Sequence, residues 1–412
     1  MHSFLLTFIF CILAVCVALD PTAIDSVIQQ YIDKRVTPGA AWSVAHYDKN
    51  NKLVTVQSAQ GSFTYGEPAP RNPGQNPPMT IDTIFDMASV TKVSMTTTAI
   101  AQLYEKGYFD VTTPVYKILP EFGDNGKASI TIENCLLHNA GFYPDPVPEF
   151  WSNTFACPQV VNKDPSMVYT CQDKIYNAVM HMKLKWRPGE VFKYSDISMM
   201  TMAFVVGQVA KENNLVSSSD FREGCTSNLL CYYEAYVRKY IIEFLSMERS
   251  ALQIDPAFYK YTAPTWYYTF RGQMQGPVSD GNAFVAGGWL GHAGFFTTAR
   301  EITKLLVDLN GQHRLFNKTT LDFFIRRRNE PAGSSRALGW DTSTVGGTCG
   351  ELGNHDTTTF LHLGYTGTQI CCSPKYRICT SLLTNRVYPK DRGSVNGLRR
   401  AFNTAVFNQL FT

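Results

Sequence analysis

Ser89 and Lys92 stand three residues apart in the stretch FDMASVTKVSM, residues 85–95. Positions i and i+3 lie on one face of a helix, so the two side chains could meet there. A serine hydroxyl is a weak nucleophile at neutral pH, and Lys92 could serve as its base if burial lowered the lysine pKa. The alternative is a serine that begins an ordinary helix, followed by a solvated lysine. The spacing alone does not decide between the two interpretations.

Two later stretches carry further candidates. PGEVFKYSDIS (188–198) places Tyr194 and Asp196 between a Pro-Gly turn and a predicted helix. LHLGYTGTQICCSP (361–374) places His362 and Gly364 on a predicted strand, directly before Tyr365. Taken singly, the tyrosine could be a buried aromatic and the histidine a satisfied core residue.

In this order the three stretches resemble the motifs S-x-x-K, Y-x-N and K-T-G or H-x-G of the penicillin-recognising serine hydrolases. These include class C β-lactamases, D-Ala-D-Ala carboxypeptidases and related esterases. LLHNAGF (136–142) resembles a loop of the same family. The segments 263–302 and 381–389 resemble a bacterial subgroup of penicillin-binding-protein-like hydrolases. A second H-x-G begins at His292, but its neighbours match a different family segment, so the third motif is assigned to His362. His138 and His292 are expected to pack within loops.

The resemblance implies acyl transfer through a covalent acyl-enzyme on Ser89. Lys92 and Tyr194 would share the role of base, and the sequence does not say which of them takes the proton. The backbone N–H groups of Ser89 and Tyr365 would form the oxyanion hole. The substrate would be held by three residues of the second and third motifs: Asp196, His362 and Gly364.

Two departures from the family motifs bear on the substrate. Asp196 replaces the usual asparagine, and His362 replaces a lysine that would bind a carboxylate, whereas histidine is largely neutral at pH 7. We therefore expect an esterase- or peptidase-like hydrolase for a neutral or amine-bearing acyl substrate, a small molecule or a peptide, rather than an efficient β-lactamase. Trp266 and Ser279 also differ from the bacterial subgroup's Glu and His. The alternative function is a catalytically silent protein that binds ligands or assembles with copies of itself.

These motifs need a fold that brings both ends of the chain together. Strand patterns occur early, in AAWSVAHYD and KLVTVQSAQG, and again after residue 335, in SRALGWDT, TTFLHLGY, TQICCSP and YRICTSLLTN. Helical patterns cover residues 22–34, Ser89 to about Lys106, 198–214 and the final stretch VNGLRRAFNTAVFNQLF. The sequence predicts an α/β (α+β) fold. The N- and C-terminal segments form one antiparallel sheet flanked by helices, with a mostly helical region inserted at about 110–310. The resemblance implies a β-lactamase/transpeptidase-like architecture.

Composition places the chain among globular proteins. It has 412 residues, 44% of them hydrophobic and 17% charged, with a net charge of +3. This balance does not indicate a nucleic-acid partner. Residues 1–19 read as a signal peptide, because the apolar run from Phe4 to Leu19 is shorter than the roughly 20 residues that span a bilayer. A short membrane anchor is the alternative. We expect one hydrolase domain over 20–412, secreted or in the lumen of the secretory-endolysosomal pathway, with no membrane contact after cleavage. The sequence does not fix its oligomeric state.

Nine cysteines follow the signal segment, and in an oxidising compartment several should pair. Spacing predicts Cys157–Cys171 and Cys225–Cys231, and it pairs Cys349 with Cys371, Cys372 or Cys379. Cys135, in an apolar run, is predicted to be a buried free thiol. The competing interpretation is a zinc site, but the chain has no C-x-x-C pair and its histidines are scattered. Neither a Walker loop nor a dinucleotide fingerprint is present, so no metal or cofactor is expected.

Overall fold

A computed structural model describes residues 19–157, 171–268 and 271–412. The predicted signal segment falls almost entirely on residues 1–18 and so lies outside the described residues. Within the described ranges, no helix combines the length and the apolar character needed to cross a bilayer.

The described residues form strands near both ends of the chain and shorter ones between them. In chain order the strands are β1 Gly39–Tyr47, β2 Leu53–Gly61, β3 Phe85–Asp86, β4 Ala251–Leu252, β5 Tyr267–Tyr268, β6 Gly272–Gln273, β7 Phe295–Thr297, β8 Asp341–Thr342, β9 Phe360–Leu363, β10 Gln369–Ser373 and β11 Ile378–Thr384.

Helices flank the strands and fill most of the middle of the chain. They are α1 Pro21–Asp33, α2 Thr98–Glu105, α3 Ile132–Leu136, α4 Gln172–Met180, α5 Asp196–Glu212, α6 Leu229–Val237, α7 Gly281–Val285, α8 Ala299–Val307, α9 Lys318–Ile325, α10 Gly350–His355 and α11 Asn396–Phe411.

The main sheet joins the two ends of the chain, as predicted. Its order is β2-β1-β11-β10-β9-β8, and every neighbouring pair is antiparallel. β1 pairs directly with β11, with Trp42 opposite Leu382. The predicted fold class, an α/β arrangement with an antiparallel sheet and flanking helices, is therefore confirmed.

Both faces of the main sheet are covered, because β1 alternates between two apolar layers. Trp42 and Val44 face the terminal helices α1 and α11, together with Ile24 and Phe402. Ala41 and Ala45 belong to the larger core on the other face, where α8 packs against β1 and β11. Full burial of a side chain as large as Trp42 stabilises the fold by roughly 2–3 kcal/mol.

The central helix α5 begins two residues before the predicted span, at Asp196, and nearly all of its residues are buried. Helical structure near Ser89 also differs from a plain α-helix. A 3-10 turn at Ala88–Val90 is followed by a π-helical segment at Lys92–Thr97, and only then by α2. Such π segments are frequent at functional sites because they change the direction in which side chains point.

The predicted strand SRALGWDT is wrong over most of its length, since only Asp341–Thr342 pair in the sheet. The segment instead folds back on itself, and the Ala337 N–H donates to the Trp340 carbonyl at 3.0 Å. Gly339 allows this turn with a φ of 77°, and a Cβ there would lie 2.1 Å from Thr97 Oγ1. A glycine required by tertiary contact is not visible in a strand pattern.

Four disulfides are formed by the described residues. Cys157–Cys171 and Cys225–Cys231 occur as predicted, and Cys349 selects Cys371 among its three predicted partners. The fourth bond, Cys372–Cys379, was not predicted and joins opposite positions of β10 and β11. Cys135 is a buried free thiol, as expected.

Candidate active site

Ser89 lies in a tight turn between strand β3 and the helical stretch that follows. Ala88, just before it, has a φ of 46°, in the left-handed region that non-glycine residues rarely adopt. The turn is held by its neighbours, because the Ala88 N–H donates to Asp86 Oδ1 at 2.9 Å and the Met87 N–H donates to the Phe295 carbonyl at 2.9 Å. Strain of this kind persists only where the surroundings enforce it, and it marks functional turns.

Lys92 is fully buried and points at Ser89. Its Nζ donates to Ser89 Oγ at 2.9 Å and to the His292 carbonyl at 3.0 Å, and it lies 2.8 Å from Asp196 Oδ1. The alternative of a solvated lysine is therefore wrong. Burial alone would lower the pKa of Lys92, but the charges of Asp196 and Tyr194 outweigh burial and raise it. Lys92 is an ammonium group held against the serine oxygen.

Tyr194 completes the first two motifs. Its ring centroid lies 5.0 Å from Lys92 Nζ. Burial raises the pKa of Tyr194, while the Lys92 charge and polar contacts with Lys92 and Ser89 act in the opposite direction. The structure thus brings Ser89, Lys92, Tyr194 and Asp196 together, although more than 100 residues separate the first two from the last two.

His138 positions the second motif. Its ring packs 4.6 Å from the Tyr194 ring, and its Nδ1 accepts a hydrogen bond from the Ser195 N–H at 3.2 Å. The His138 carbonyl accepts from the Lys193 N–H at 2.8 Å. This histidine serves packing and orientation, in line with its expected place in a loop.

His292 does more than pack a loop, which corrects the sequence expectation. Its Nδ1 faces the Leu290 carbonyl at 3.2 Å and its Nε2 faces Asp280 Oδ1 at 3.0 Å. Both partners are acceptors, so both ring nitrogens carry protons and the ring is an imidazolium. The Asp280 and Asp196 charges raise the pKa of His292 in spite of its burial, which agrees with this geometry.

Asp196, Asp280 and His292 also form the one group among the described residues whose ligand atoms could hold a metal ion, all within 4.8 Å of one another. Two positive groups already neutralise these carboxylates. One is the Lys92 ammonium beside Asp196, and the other is the His292 imidazolium beside Asp280. Asp196, Asp280 and His292 are therefore better described as members of a charge network with Lys92 than as metal ligands.

His362 stands on β9 in the wall of the site. Its Nδ1–H donates to the Leu363 carbonyl at 3.1 Å, which leaves Nε2 as an acceptor. Burial and the positive charges of Arg336 and Lys92 hold the pKa of His362 well below its usual range. The third motif thus presents a neutral imidazole where the family lysine would present a cation.

Gly364 and the turn after it attach the third motif to the serine turn. The hydroxyls of Thr366 and Thr368 donate to the Asp86 and Met87 carbonyls at 2.7 and 2.9 Å. A Cβ on Gly364 would lie 2.0 Å from Thr368 Oγ1 and 2.5 Å from the Met87 carbonyl oxygen. Glycine is required here because two backbones approach closely, a role distinct from the predicted one of holding substrate.

A cavity of about 580 Å3 opens at these residues. Five predicted site residues line it: Ser89, Tyr194, His362, Gly364 and Tyr365. Lys92 and Asp196 lie behind that wall. Ser89 and Tyr365, whose backbone N–H groups were predicted to form the oxyanion hole, therefore face one space.

Three arginines that the sequence analysis missed also line the cavity. Arg336 lies 3.5 Å from Asp341, and Arg386 lies 2.5 Å from Asp391. Arg399 is buried, and its Nη2 donates to the Gly364 and Thr368 carbonyls at 2.7 and 2.8 Å. Two of these arginines are thus paired with carboxylates of the cavity wall, and the third is bonded to backbone carbonyls, so none of them simply replaces the family lysine.

For one of the three arginines, the sequence contained a weak indication of its place, namely its position on the predicted closing helix. Arg399 is three positions after Asn396 on the closing helix, and its Nη1 donates to Asn396 Oδ1 at 2.8 Å. Burial and the charge of Arg386 lower the pKa of Arg399 to about 9. Arg336 lies in an isolated β-bridge with Asp341 and Arg386 lies in a turn, where no periodicity marks which side chains face a cavity.

Comparison with known proteins gives consistent matches. The Beta-lactamase family model matches residues 24–404. A relative from Salmonella agona (strain SL483), named "Putative D-alanyl-D-alanine carboxypeptidase", is 28% identical over 340 residues, covering 74% of this chain and 70% of the relative.

Solved structures show the same fold at low sequence identity. EstCE1, described as a hydrolase with promiscuous acyltransferase activity, aligns with a TM-score of 0.65 and 17% identity, covering 94% of this chain and 98% of its own. A penicillin-binding protein homologue from Caulobacter crescentus aligns with a TM-score of 0.66 and 16% identity, covering 94% and 97%.

Proposed function

The chain belongs to the Beta-lactamase family and is a serine hydrolase, and from that premise we propose that it hydrolyses esters or peptide-like amides through an acyl-enzyme on Ser89. The observation that carries the proposal is the contact at 2.9 Å between the Lys92 ammonium and the Ser89 hydroxyl, at the wall of a cavity. A silent binding protein has no need of this buried charge beside a hydroxyl.

In the proposed reaction, Ser89 Oγ attacks the substrate carbonyl and its proton passes to the Tyr194 phenolate. The charge that develops on the carbonyl oxygen is held by the backbone N–H groups of Ser89 and Tyr365. Collapse of the tetrahedral intermediate breaks the bond to the leaving group, which takes the proton from Tyr194. Water then attacks the acyl ester, releases the acid and returns the proton to Ser89.

Tyr194 is assigned as the base because Lys92 is already fully protonated. Asp196 stabilises the ammonium form of Lys92, and an ammonium has no lone pair with which to accept a proton. Its positive charge instead opposes the rise that burial causes in the Tyr194 pKa, and to that extent it supports the phenolate of Tyr194. Lys92 thus acts as an electrostatic partner of the base.

The proposed substrate is a small ester or a peptide rather than a β-lactam. His362 supplies a neutral acceptor in place of the cation of the K-T-G motif. Asp341 and Asp391 balance Arg336 and Arg386 in the cavity wall, and the remaining positive charge, on Arg399, disfavours an ammonium group. The amine-bearing substrate considered from the sequence is therefore set aside in favour of a neutral one.

Secretion is part of the proposal. Disulfides form and persist in oxidising compartments, and eight of the nine cysteines after residue 19 are paired. The protein would act extracellularly or in the lumen of the secretory-endolysosomal pathway, without nucleic acid, membrane or cofactor.

A fluorophosphonate probe tests the nucleophile. The wild-type protein should be labelled and should hydrolyse short esters, and Ser89→Ala should abolish labelling and lower hydrolysis by roughly a thousandfold or more. Ser94→Ala is the matched control, since Ser94 is buried in the same helical stretch and its hydroxyl has no hydrogen-bond partner in the described parts of the chain. Folded wild-type protein that stays unlabelled and inactive would establish the silent binding function instead.

A further inference from the structure

An exposed aromatic side chain stands at the mouth of the cavity. Tyr365 lines the cavity, yet 54% of its surface is exposed. Its hydroxyl donates to Asp391 Oδ2 at 2.8 Å. Because the polar tip is already bonded, the accessible part of Tyr365 is mainly the apolar ring.

The ring is held in place from two directions. The Arg386 guanidinium lies 4.7 Å from the centroid of the Tyr365 ring, at a cation–π distance. The Trp266 ring lies 6.2 Å away at an interplanar angle of 43°. An ordered pair of large rings loses little conformational entropy when a ligand packs on it.

Two hydrogen bonds hold the backbone at Trp266. Its carbonyl accepts a hydrogen bond from the Met274 N–H at 3.0 Å, and the N–H of the next residue, Tyr267, donates to the Pro389 carbonyl at 3.0 Å. Trp266 was also one of the residues at which the sequence departs from the bacterial subgroup. We call Trp266 and Tyr365 the aromatic shelf.

The aromatic shelf lies next to the reaction centre. The backbone N–H of Tyr365 is the proposed oxyanion donor, and its ring belongs to the same residue. A group within one or two bonds of the scissile carbonyl could therefore reach the ring while the carbonyl oxygen stays in the oxyanion hole. Isolated exposed aromatics are common on protein surfaces, but this one lines the cavity beside the nucleophile.

We propose that the aromatic shelf is a binding subsite for a flat aromatic ring attached close to the scissile carbonyl of the substrate. Aromatic rings attract one another in offset and tilted arrangements, and the tilted Trp266–Tyr365 pair offers such a surface to a third ring. This inference rests on the proposed function, and it adds a substrate class to it. The ring could belong to the acyl group or to the leaving alcohol.

Matched alkyl esters test the subsite and distinguish these two sources. Methyl phenylacetate is compared with methyl cyclohexylacetate for the acyl side, and benzyl acetate with cyclohexylmethyl acetate for the leaving side. In each pair the two groups are similar in size and differ in flatness. We expect kcat/KM to favour the aromatic member of at least one pair by about five- to tenfold.

Substitutions in the shelf should remove that preference. Tyr365→Leu keeps the backbone N–H and should bring the aromatic-to-cyclohexyl ratio close to one, and Trp266→Leu should lower it. Tyr365→Phe keeps the ring and should keep the ratio. Phe244→Leu is the control, because Phe244 is 47% exposed and lies against Arg314 outside the cavity wall.

Fluorophosphonate labelling of each variant separates the two proposals. Labelled wild-type enzyme without aromatic preference in either ester pair would overturn the subsite and leave the nucleophile intact. A preference that survives in Tyr365→Leu would overturn it as well. Folded wild-type protein that is not labelled at all would instead overturn the proposed function.

Discussion

At the scale of single residues, Asp196 sets the protonation of the site. An asparagine at this position could bond to Lys92 but would leave its charge uncompensated in a fully buried place. The carboxylate at 2.8 Å stabilises the ammonium, and the Asp280–His292 pair lies on the other side of the network. A carboxylate that the sequence predicted to hold the substrate thus fixes the charge of Lys92.

The pH dependence of hydrolysis should report on Tyr194 and Asp196. In the proposed mechanism the reactive form of Tyr194 is the phenolate, and burial raises the Tyr194 pKa above its usual value, so kcat/KM should rise as the pH increases above 7. The Asp196 charge raises the pKa of both Tyr194 and Lys92. Asp196→Asn should therefore lower both pKa values and move the rise to lower pH. The measurement is kcat/KM of a short ester between pH 5 and pH 10.

Asp341→Asn provides a control for this shift. Asp341 also lines the cavity, but it pairs with Arg336 and has no contact with Lys92 among the described interactions. It should leave the pH of the rise unchanged even if it alters the rate. Superimposable profiles for wild type and Asp196→Asn would contradict the role given to Asp196.

The motif residues were predictable from the sequence because their spacing within short stretches is local. The partners of those residues were not. His292 and Asp280 reach Lys92 and Asp196 only through the fold, and no spacing in the chain connects His292 with Lys92, 200 positions earlier. Charge networks of this kind depend on which buried groups face each other in the folded chain. The order of residues along the chain does not contain that information.

At the scale of elements, the third motif works as a clamp on the serine turn. Two threonine hydroxyls from the β9–β10 turn bind the carbonyls of Asp86 and Met87. The positions of β9 and of Ser89 are therefore coupled, and the absence of a side chain at Gly364 sets how closely they approach.

Gly364→Ala should uncouple these elements. The added Cβ cannot fit within 2.5 Å of the Met87 carbonyl oxygen, so β9 must move away from the serine turn. A displacement of this size should lower kcat by about a hundredfold while costing roughly 1–3 kcal/mol of stability. Enzyme kinetics and thermal unfolding of the same preparation check the two effects.

Gly397→Ala is the matched control, since a Cβ there would meet Tyr31 only at 3.4 Å, and the position is helical. It should retain activity and gain up to about 1 kcal/mol of stability. Wild-type kinetics in Gly364→Ala would show that the clamp does not position Ser89.

At the scale of the whole molecule, the disulfides give a testable pattern. Without reduction, denatured protein should contain one alkylatable thiol after residue 19, at Cys135, and folded protein should protect even that one because it is buried. Peptide mapping should find Cys349 joined to Cys371 and Cys372 joined to Cys379. Mass spectrometry that joins Cys349 to Cys372 would contradict this arrangement. Reduction should lower the unfolding temperature, since each bond contributes roughly 2–4 kcal/mol.

The overall architecture was largely predictable from the sequence, and the predictions that failed did so for physical reasons. Short, largely apolar runs made β1, β9, β10 and β11 visible, and the apolar surface of α5 marked it as central. The strand prediction for SRALGWDT failed because most of this segment forms a turn, which packs against Thr97 at Gly339, instead of pairing in the sheet. The Cys372–Cys379 pair depends on strand register, which neighbouring cysteines at 371 and 372 leave ambiguous until β10 and β11 are aligned.

The pairing of β1 with β11 has a consequence for how the protein is made. Ser43 and Ser381 exchange a hydrogen bond across 338 positions of chain, so the middle of the sheet cannot close until nearly all of the polypeptide has been synthesised. Contacts so distant along the chain form slowly. If the β1–β2 hairpin forms early, the edge of β1 that later pairs with β11 stays unpaired until then. The same geometry brings Asp20 and Gln409 into contact, so a circular permutant that joins Thr412 to Asp20 through a short connector and begins in a surface loop should close its central strands much earlier in synthesis.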